Sequence, residues 1–156
     1  MSKMITPEDV LRVLLELQSL DEDSGDVITN LKAQKLLYYV QGVALAKLGQ
    51  PMFQEDFVAW QYGPVIVRLY NELKQFGRNQ VELPPVSGSV EDKFSDDQLD
   101  VIASVYKTFG QFSAWKLRDM THAEAPWLDV NINDTIPKAS IEKFFKARYC
   151  NIPVCQ

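Results

Sequence analysis

Apolar residues recur every three or four positions along most of this chain, which is the spacing of amphipathic helices. Most of these segments open on a hydroxyl, an acid or a proline and close on glycine or proline, as helix ends do. The predicted starts or caps are Thr6-Pro7, Thr29 or Asn30, Pro64, Ser95, Ser113 and Lys138. Pro126 is predicted to end the fifth helix, and the last helix to end near Arg148.

The second predicted helix, from about residue 30 to Lys47, is apolar on nearly every side. Such a helix packs on several faces, so we expect it at the centre of the domain. Gly42 in its interior costs about 1 kcal/mol relative to alanine. A glycine at this place predicts that another element packs close to the helix.

A short strand is predicted at 57–60, where strand-forming residues stand before the dipeptide Gly63-Pro64. We expect that dipeptide to turn the chain into the next helix, with Pro64 at its first position. Residues 81–83 or 86–94 are the expected partner strand. The predicted fold is therefore mainly α with minor β. It is a single domain, 1–149, of about six helices with a small antiparallel sheet of two or three strands, followed by a C-terminal tail, 150–156.

Composition and charge narrow the function. The chain has 156 residues, 46% hydrophobic and 24% charged, as in one ordinary globular domain. Its net charge of −5 argues against strong, sequence-independent binding of DNA or RNA, because that depends on Lys and Arg neutralising phosphates. A local basic patch stays open, although the field of the whole protein would oppose it. The start lacks the apolar core of a secretory signal, and the apolar run within 36–48 is too broken to span a membrane. Cys150 and Cys155 are expected to be reduced thiols, so we expect a cytoplasmic protein.

Residues able to carry catalysis or bind metal are few. His122 is the only histidine, so a Ser-His-Asp, Cys-His or zinc site would have to be built on it. His122 and Glu124 stand two residues apart and would point in different directions on a helix. We instead expect Thr121 and His122 to hydrogen-bond backbone groups where the chain turns at 125–127. The sequence therefore predicts a protein that is not an enzyme and that uses no metal or cofactor.

Three motifs follow one another along the chain. They are I-T-x-L-K-x-Q-K-L-x-Y-x-x-Q at 28–41, A-W-x-Y-G-P-V at 59–65 and T-H-x-x-x-P-W at 121–127. Together they resemble the signature of the Panacea domain, a family of phage- and prophage-associated antitoxins that includes the SocA-like proteins. Ala33 stands where the family commonly has an aliphatic residue such as leucine, a departure that affects packing only.

The resemblance implies an antitoxin that neutralises a cognate toxin, encoded beside it, by direct protein–protein binding. It also implies an alternative, a proteolytic adaptor that delivers the toxin to the ClpXP protease. The residues favour an enzyme or a nucleic-acid-binding protein less. The acidic surface could complement a basic toxin. The identity of the toxin and the oligomeric state stay open, because the family pairs one domain with many unrelated toxins.

The motif residues are the expected scaffold or partner-binding site. They are Lys32, Gln34, Lys35, Tyr38, Gln41, Trp60, Tyr62, Gly63, Pro64, Thr121, His122, Pro126 and Trp127. Alternation along the strand places Tyr62 on the face of Trp60, which we expect to face the core. We expect the second and third motifs to pack together as a scaffold, with partner contacts around it. The alternative is that the toxin binds these motifs directly, since Trp and Tyr also anchor interfaces.

Overall fold

Helices account for most of the structure. A computed structural model describes residues 4–22 and 26–149 of the chain. Within these residues the α-helices are α1 (Pro7–Leu20), α2 (Asn30–Leu48), α3 (Val67–Leu73), α4 (Asp96–Phe109), α5 (Ala114–His122), α6 (Ala125–Leu128) and α7 (Lys138–Arg148). The strands are β1 (Phe57–Trp60), β2 (Gly63–Val65) and β3 (Thr135–Ile136), and the 3-10 turns are Lys74–Phe76 and Val90–Lys93. The prediction of a mainly helical fold with a small antiparallel sheet is confirmed.

Helix α2 lies at the centre, and α1, α4, α5 and α7 all pack against it. Every residue from Lys32 to Leu45 is buried. Gly42 shows why the helix needs a glycine there, because a Cβ at that position would lie 2.4 Å from ring atoms of Phe145. The close approach of α7 therefore depends on the missing side chain.

The sheet has the order β2-β1-β3, with both pairs antiparallel. The prediction that Gly63-Pro64 turns the chain from strand to helix is wrong, because both residues lie in β2 and α3 begins only at Val67. The partner strands are β2 and β3 rather than 81–83 or 86–94. Two- and three-residue strands carry no alternation of their own, so their pairing follows from contacts across the chain.

Local signals set several helix ends. Thr6 and Ser95 are the caps that the sequence predicts, and each forms a capping box. The Thr29 hydroxyl accepts a hydrogen bond from the Lys32 amide at 3.2 Å. The prediction for Pro126 is wrong, since α5 already ends at His122. Pro126 instead lies in the first turn of α6, where its missing N–H removes no helical hydrogen bond.

Some predictions concern residues outside the described ranges. The C-terminal tail, 150–156, with Cys150 and Cys155, is one of them, so its reduced thiols stay a prediction. The start of the chain, 1–3, and residues 23–25 are also outside. Across 4–22 and 26–149, no helix has both the length and the apolar character needed to cross a bilayer.

Candidate functional site

Five motif residues of α2 form a buried polar row along the central helix. We call Lys32, Gln34, Lys35, Tyr38 and Gln41 the polar spine; each is at most 2% exposed. Polar groups so deep in a fold are costly unless they are hydrogen-bonded. Each of the five makes a side-chain hydrogen bond to a residue outside α2, so the row joins the helix to the segments around it.

The two glutamines of the spine hold backbone groups of segments that have no regular ladder partner. The Gln34 carbonyl accepts from the Ile66 amide at 2.9 Å, just before α3 begins. Gln41 donates to the Phe53 carbonyl at 2.8 Å and accepts from the Met52 amide at 2.7 Å. Amide side chains suit this role because they donate and accept at once.

The two lysines of the spine bind backbone carbonyls. Lys32 Nζ donates to the Gly110 carbonyl at 2.7 Å, and Lys35 Nζ donates to the Pro64 carbonyl at 3.2 Å. Burial lowers the pKa of Lys35 to about 7. Burial also lowers the pKa of Lys32, although Asp26, at 4.0 Å, opposes that shift. Both lysines thus act as structural donors inside the fold.

Tyr38, the remaining spine residue, belongs to a cluster of tyrosines around one carboxylate. Tyr38 donates to one oxygen of Glu124 at 3.1 Å, and Tyr39 and Tyr149 donate to the other at 2.9 and 2.6 Å. Burial raises the pKa of Glu124 against the opposing effect of these donors. Neither Glu124 nor Tyr149 was predicted as a site residue. The available signal was the lone acid between two alanines in the third motif.

Gly63 is the point where the second and third motifs and the spine meet. Its φ is +112°, a value that favours glycine. A Cβ there would lie 2.6 Å from Lys35 Cε and 2.8 Å from Thr121 Oγ1. The Thr121 hydroxyl donates to the Arg118 carbonyl at 2.9 Å, which fixes it one turn back on α5. A side chain at position 63 would therefore displace both neighbours.

The two tryptophans of the motifs join the sheet to α6. Trp127 Nε1 donates to the Trp60 carbonyl at 2.8 Å. The His122 ring stacks on Trp127, with ring centroids 4.2 Å apart. Burial lowers the pKa of His122, and the neighbouring Arg118 adds to the effect. Within the described ranges its Nε2 is buried and has no hydrogen-bond partner.

The expectation that Trp60 faces the core is wrong. Phe57 and Ala59 take the core face of β1, so alternation places Trp60 on the other face, half-buried against Tyr70. Tyr62 does not extend that strand either. It lies in the turn between β1 and β2 and is 47% exposed.

Tyr62 borders an exposed groove that the sequence did not indicate. We call this depression, about 720 Å³, the aromatic groove; its apolar lining includes Val27, Leu31, Tyr62, Val65, Tyr70 and Trp115. Trp115 is 58% exposed and contacts Tyr62 edge to face, with centroids 6.0 Å apart. Because Trp115 stands outside all three motifs, neither periodicity nor resemblance singled it out.

In the residues that the structure describes, the arrangement forms no metal cluster and encloses two motif groups that could take part in chemistry. Among residues 4–22 and 26–149, no three His, Cys, Asp or Glu side chains are placed to hold a metal ion. Burial shifts the pKa of both Lys35 and Glu124, and the two residues are 0% and 5% exposed. Each already makes hydrogen bonds inside the fold, so a substrate in solution cannot contact either group in this conformation.

Comparison with known proteins decides the family. A family model described as "Antitoxin SocA-like, Panacea domain" matches residues 33–128. The chain belongs to the SocA-like Panacea family. It is also 33% identical over 109 residues to a protein of Caulobacter vibrioides (strain NA1000 / CB15N) named "Antitoxin SocA". The matched region is 64% of this chain and 58% of that relative. No solved structure matches the chain.

The matched range of the Panacea domain runs from inside α2 to the end of α6. It contains the hairpin formed by β1 and β2, with Gly63, and also Glu124 and the two exposed rings of the groove, Tyr62 and Trp115. Tyr149, the third donor to Glu124, lies beyond it on the C-terminal side of α7. The Panacea signature therefore describes the centre of the fold, and a later segment completes the cluster around Glu124.

Proposed function

We propose that this protein is the antitoxin of a toxin–antitoxin system and that it neutralises its cognate toxin by direct protein–protein binding. Membership of the SocA-like Panacea family carries the proposal, since the match spans residues 33–128 and the Caulobacter relative is named as an antitoxin. The place of action is the cytoplasm, where a toxin made in the same cell meets its antitoxin.

The geometry favours binding over catalysis. A catalytic acid or base must come within hydrogen-bonding distance of its substrate. The buried charged groups of the motifs, Lys35 and Glu124, are instead satisfied by Pro64 and by tyrosines. The aromatic groove, in contrast, exposes two large rings of the kind that anchor protein interfaces.

Co-expression with the product of the adjacent reading frame tests the proposal. We expect that product alone to stop growth, co-expression of this protein to restore it, and the two purified proteins to form a stable complex. An antitoxin that acts by binding is stoichiometric and not catalytic, so protection should require at least as much antitoxin as toxin. The proposal is wrong if growth is not restored and no complex forms.

The same strains without the ClpXP protease separate direct neutralisation from proteolytic delivery. Direct binding predicts that growth is restored without the protease and that the half-life of the toxin does not shorten when it is present. Loss of rescue without ClpXP, together with a longer toxin half-life, would establish the adaptor role instead.

A further inference from the structure

The aromatic groove has features of a docking site that folding does not require. Tyr62 and Trp115 stay 47% and 58% exposed, although each could bury a large apolar area. Val27, which also lines the groove, is 50% exposed. Neighbouring exposed apolar side chains around a concave surface mark interaction sites more often than chance exposure does. The groove, at about 720 Å³, has room for side chains of a partner.

Arg118 holds the two exposed rings in place. Its guanidinium carbon lies 5.5 Å from the Tyr62 ring centroid and 5.2 Å from that of Trp115, so it contacts both π faces. Its Nε is buried and finds no hydrogen-bond partner in the described part of the chain. Rings fixed before binding lose little freedom when a partner arrives, which favours affinity.

Two positively charged side chains belong to the lining of the groove. Lys74 and Arg78 are exposed lining residues, and neither forms an ion pair with any residue that the structure describes. The acid of the lining, Asp26, lies 4.0 Å from Lys32. The chain as a whole carries −5, whereas the groove lining contains two cations and one acid, so the groove is a local exception to an acidic protein.

We propose that the aromatic groove binds a segment of the cognate toxin in which one or two apolar side chains are flanked by aspartate or glutamate. The inference rests on the proposed function. The apolar side chains pack against Val27 and the Tyr62–Trp115 pair, and the carboxylates pair with Lys74 and Arg78. An acidic segment is repelled by most of this protein's surface, so the two cations select where it docks. Single-stranded nucleic acid also combines stacking with negative charge, but the net charge opposes it.

Binding of the purified product of the adjacent reading frame to groove variants tests this site. Trp115→Ala should weaken the affinity about 30-fold or more, as loss of a central aromatic anchor does. Arg78→Glu should weaken it about tenfold, and more strongly at low salt than at high salt. Leu128→Ala is the matched control for exposed apolar area, since Leu128 is 55% exposed outside the groove. Lys143→Glu makes the same charge change on the exposed side of α7.

The outcomes separate the site from the function. Weak binding by both groove variants with normal binding by both controls supports the groove. If the wild type binds the toxin and rescues growth, and all four variants retain both properties, the groove proposal is wrong and the antitoxin role still stands. No binding and no rescue by the wild type would overturn both. The docking proposal also fails if Trp115→Ala abolishes binding of a single-stranded oligonucleotide or dissociates a dimer of this chain while toxin binding is unchanged.

Discussion

The polar spine and the aromatic groove lie side by side, yet they differ in where their side chains find partners. Spine residues are at most 2% exposed, and their side chains hydrogen-bond inside the fold. At the groove, Trp115 is 58% exposed, and Lys74 has no ion pair with the residues described. The first motif, 28–41, therefore contributes side chains that are enclosed in the fold, and the exposed surface available to a partner lies beside them.

This difference has a physical basis. A buried polar group without a hydrogen bond costs free energy, so a row of them tolerates only the arrangement in which every member is satisfied. The spine thereby specifies how the segments around α2 are placed. Exposed rings and cations make no such demand on the fold, and they can change with the partner. We infer that substitutions in the polar spine act on stability first and groove substitutions on binding first.

The largest loss of stability is expected where the spine touches the hairpin. Gly63→Ala places a Cβ 2.6 Å from Lys35 Cε on a backbone with φ +112°, and should lower the free energy of unfolding by about 3 kcal/mol or more. Gly49→Ala is the matched control, because Gly49 also has a positive φ, +72°, but nothing lies within 4 Å of its Cβ position. That control should cost about 1 kcal/mol in urea unfolding. Equal losses for both variants would show that contact with Lys35 and Thr121 is unimportant.

Removing one donor from the tyrosine cluster should cost less. Tyr38→Phe keeps the ring and leaves Glu124 with two of its three tyrosine donors. We expect a loss of about 1–3 kcal/mol in the free energy of unfolding, the cost of an unsatisfied buried acceptor. Tyr106→Phe, which removes an exposed hydroxyl contact with Asp21, is the control and should cost no more than about 0.5 kcal/mol. A Tyr38 variant as stable as this control would contradict the role given to the spine.

The sequence predicts the features of the fold that depend on local contacts, and it does not predict those that depend on contacts between distant segments. Capping at Thr6 and Ser95 and the central place of α2 are local properties, and pattern reasoning predicted them. The sequence does not predict the β1–β2 hairpin, because β2 contains Gly63 and Pro64, which carry no strand signal and pair only with β1. The partnership of Tyr38 with Glu124 joins residues 86 positions apart, which spacing cannot indicate.

The sequence also does not predict which aromatic residues face the solvent. The sequence predicts a core position for Trp60, because tryptophan is a common core residue and 57–60 reads as an alternating strand. Phe57 and Ala59 occupy that face instead. Trp115 follows a correctly predicted cap, Ser113, but its exposure depends on what packs around α5. A helical pattern fixes which residues share a face and does not fix which surface remains uncovered.

A smaller effect is expected in the pH dependence of stability. The pKa of Lys35 is about 7 in the fold, below the ordinary 10.5. Between these values the unfolded chain binds a proton that the folded chain lacks, so stability rises with pH and is lost as pH falls towards 7. The slope should approach about 1 kcal/mol per pH unit between about pH 7 and about pH 9. Lys35→Met should remove this slope in urea unfolding, and a variant that keeps it would show that Lys35 stays charged in the fold.

The smallest effect on stability is expected at the groove. Trp115→Ala removes an exposed ring whose neighbours Tyr62 and Arg118 are themselves exposed or partly exposed. The free energy of unfolding should change by no more than about 0.5 kcal/mol. Thermal unfolding of the variant beside the wild type checks this. A loss above about 2 kcal/mol would show that the ring supports the fold, and its exposure would then say nothing about a partner.

The most direct test measures stability and toxin binding together on one variant from each region. Tyr38→Phe and Trp115→Ala are compared with the wild type by thermal unfolding and by titration with the product of the adjacent reading frame. We predict that Tyr38→Phe melts at a lower temperature but binds normally once the folded fraction is counted. We predict that Trp115→Ala keeps its melting temperature and loses affinity about 30-fold or more. The reverse pattern, with folded Tyr38→Phe unable to bind and Trp115→Ala binding normally, would place recognition on the polar spine and contradict a groove that binds and a spine that stabilises.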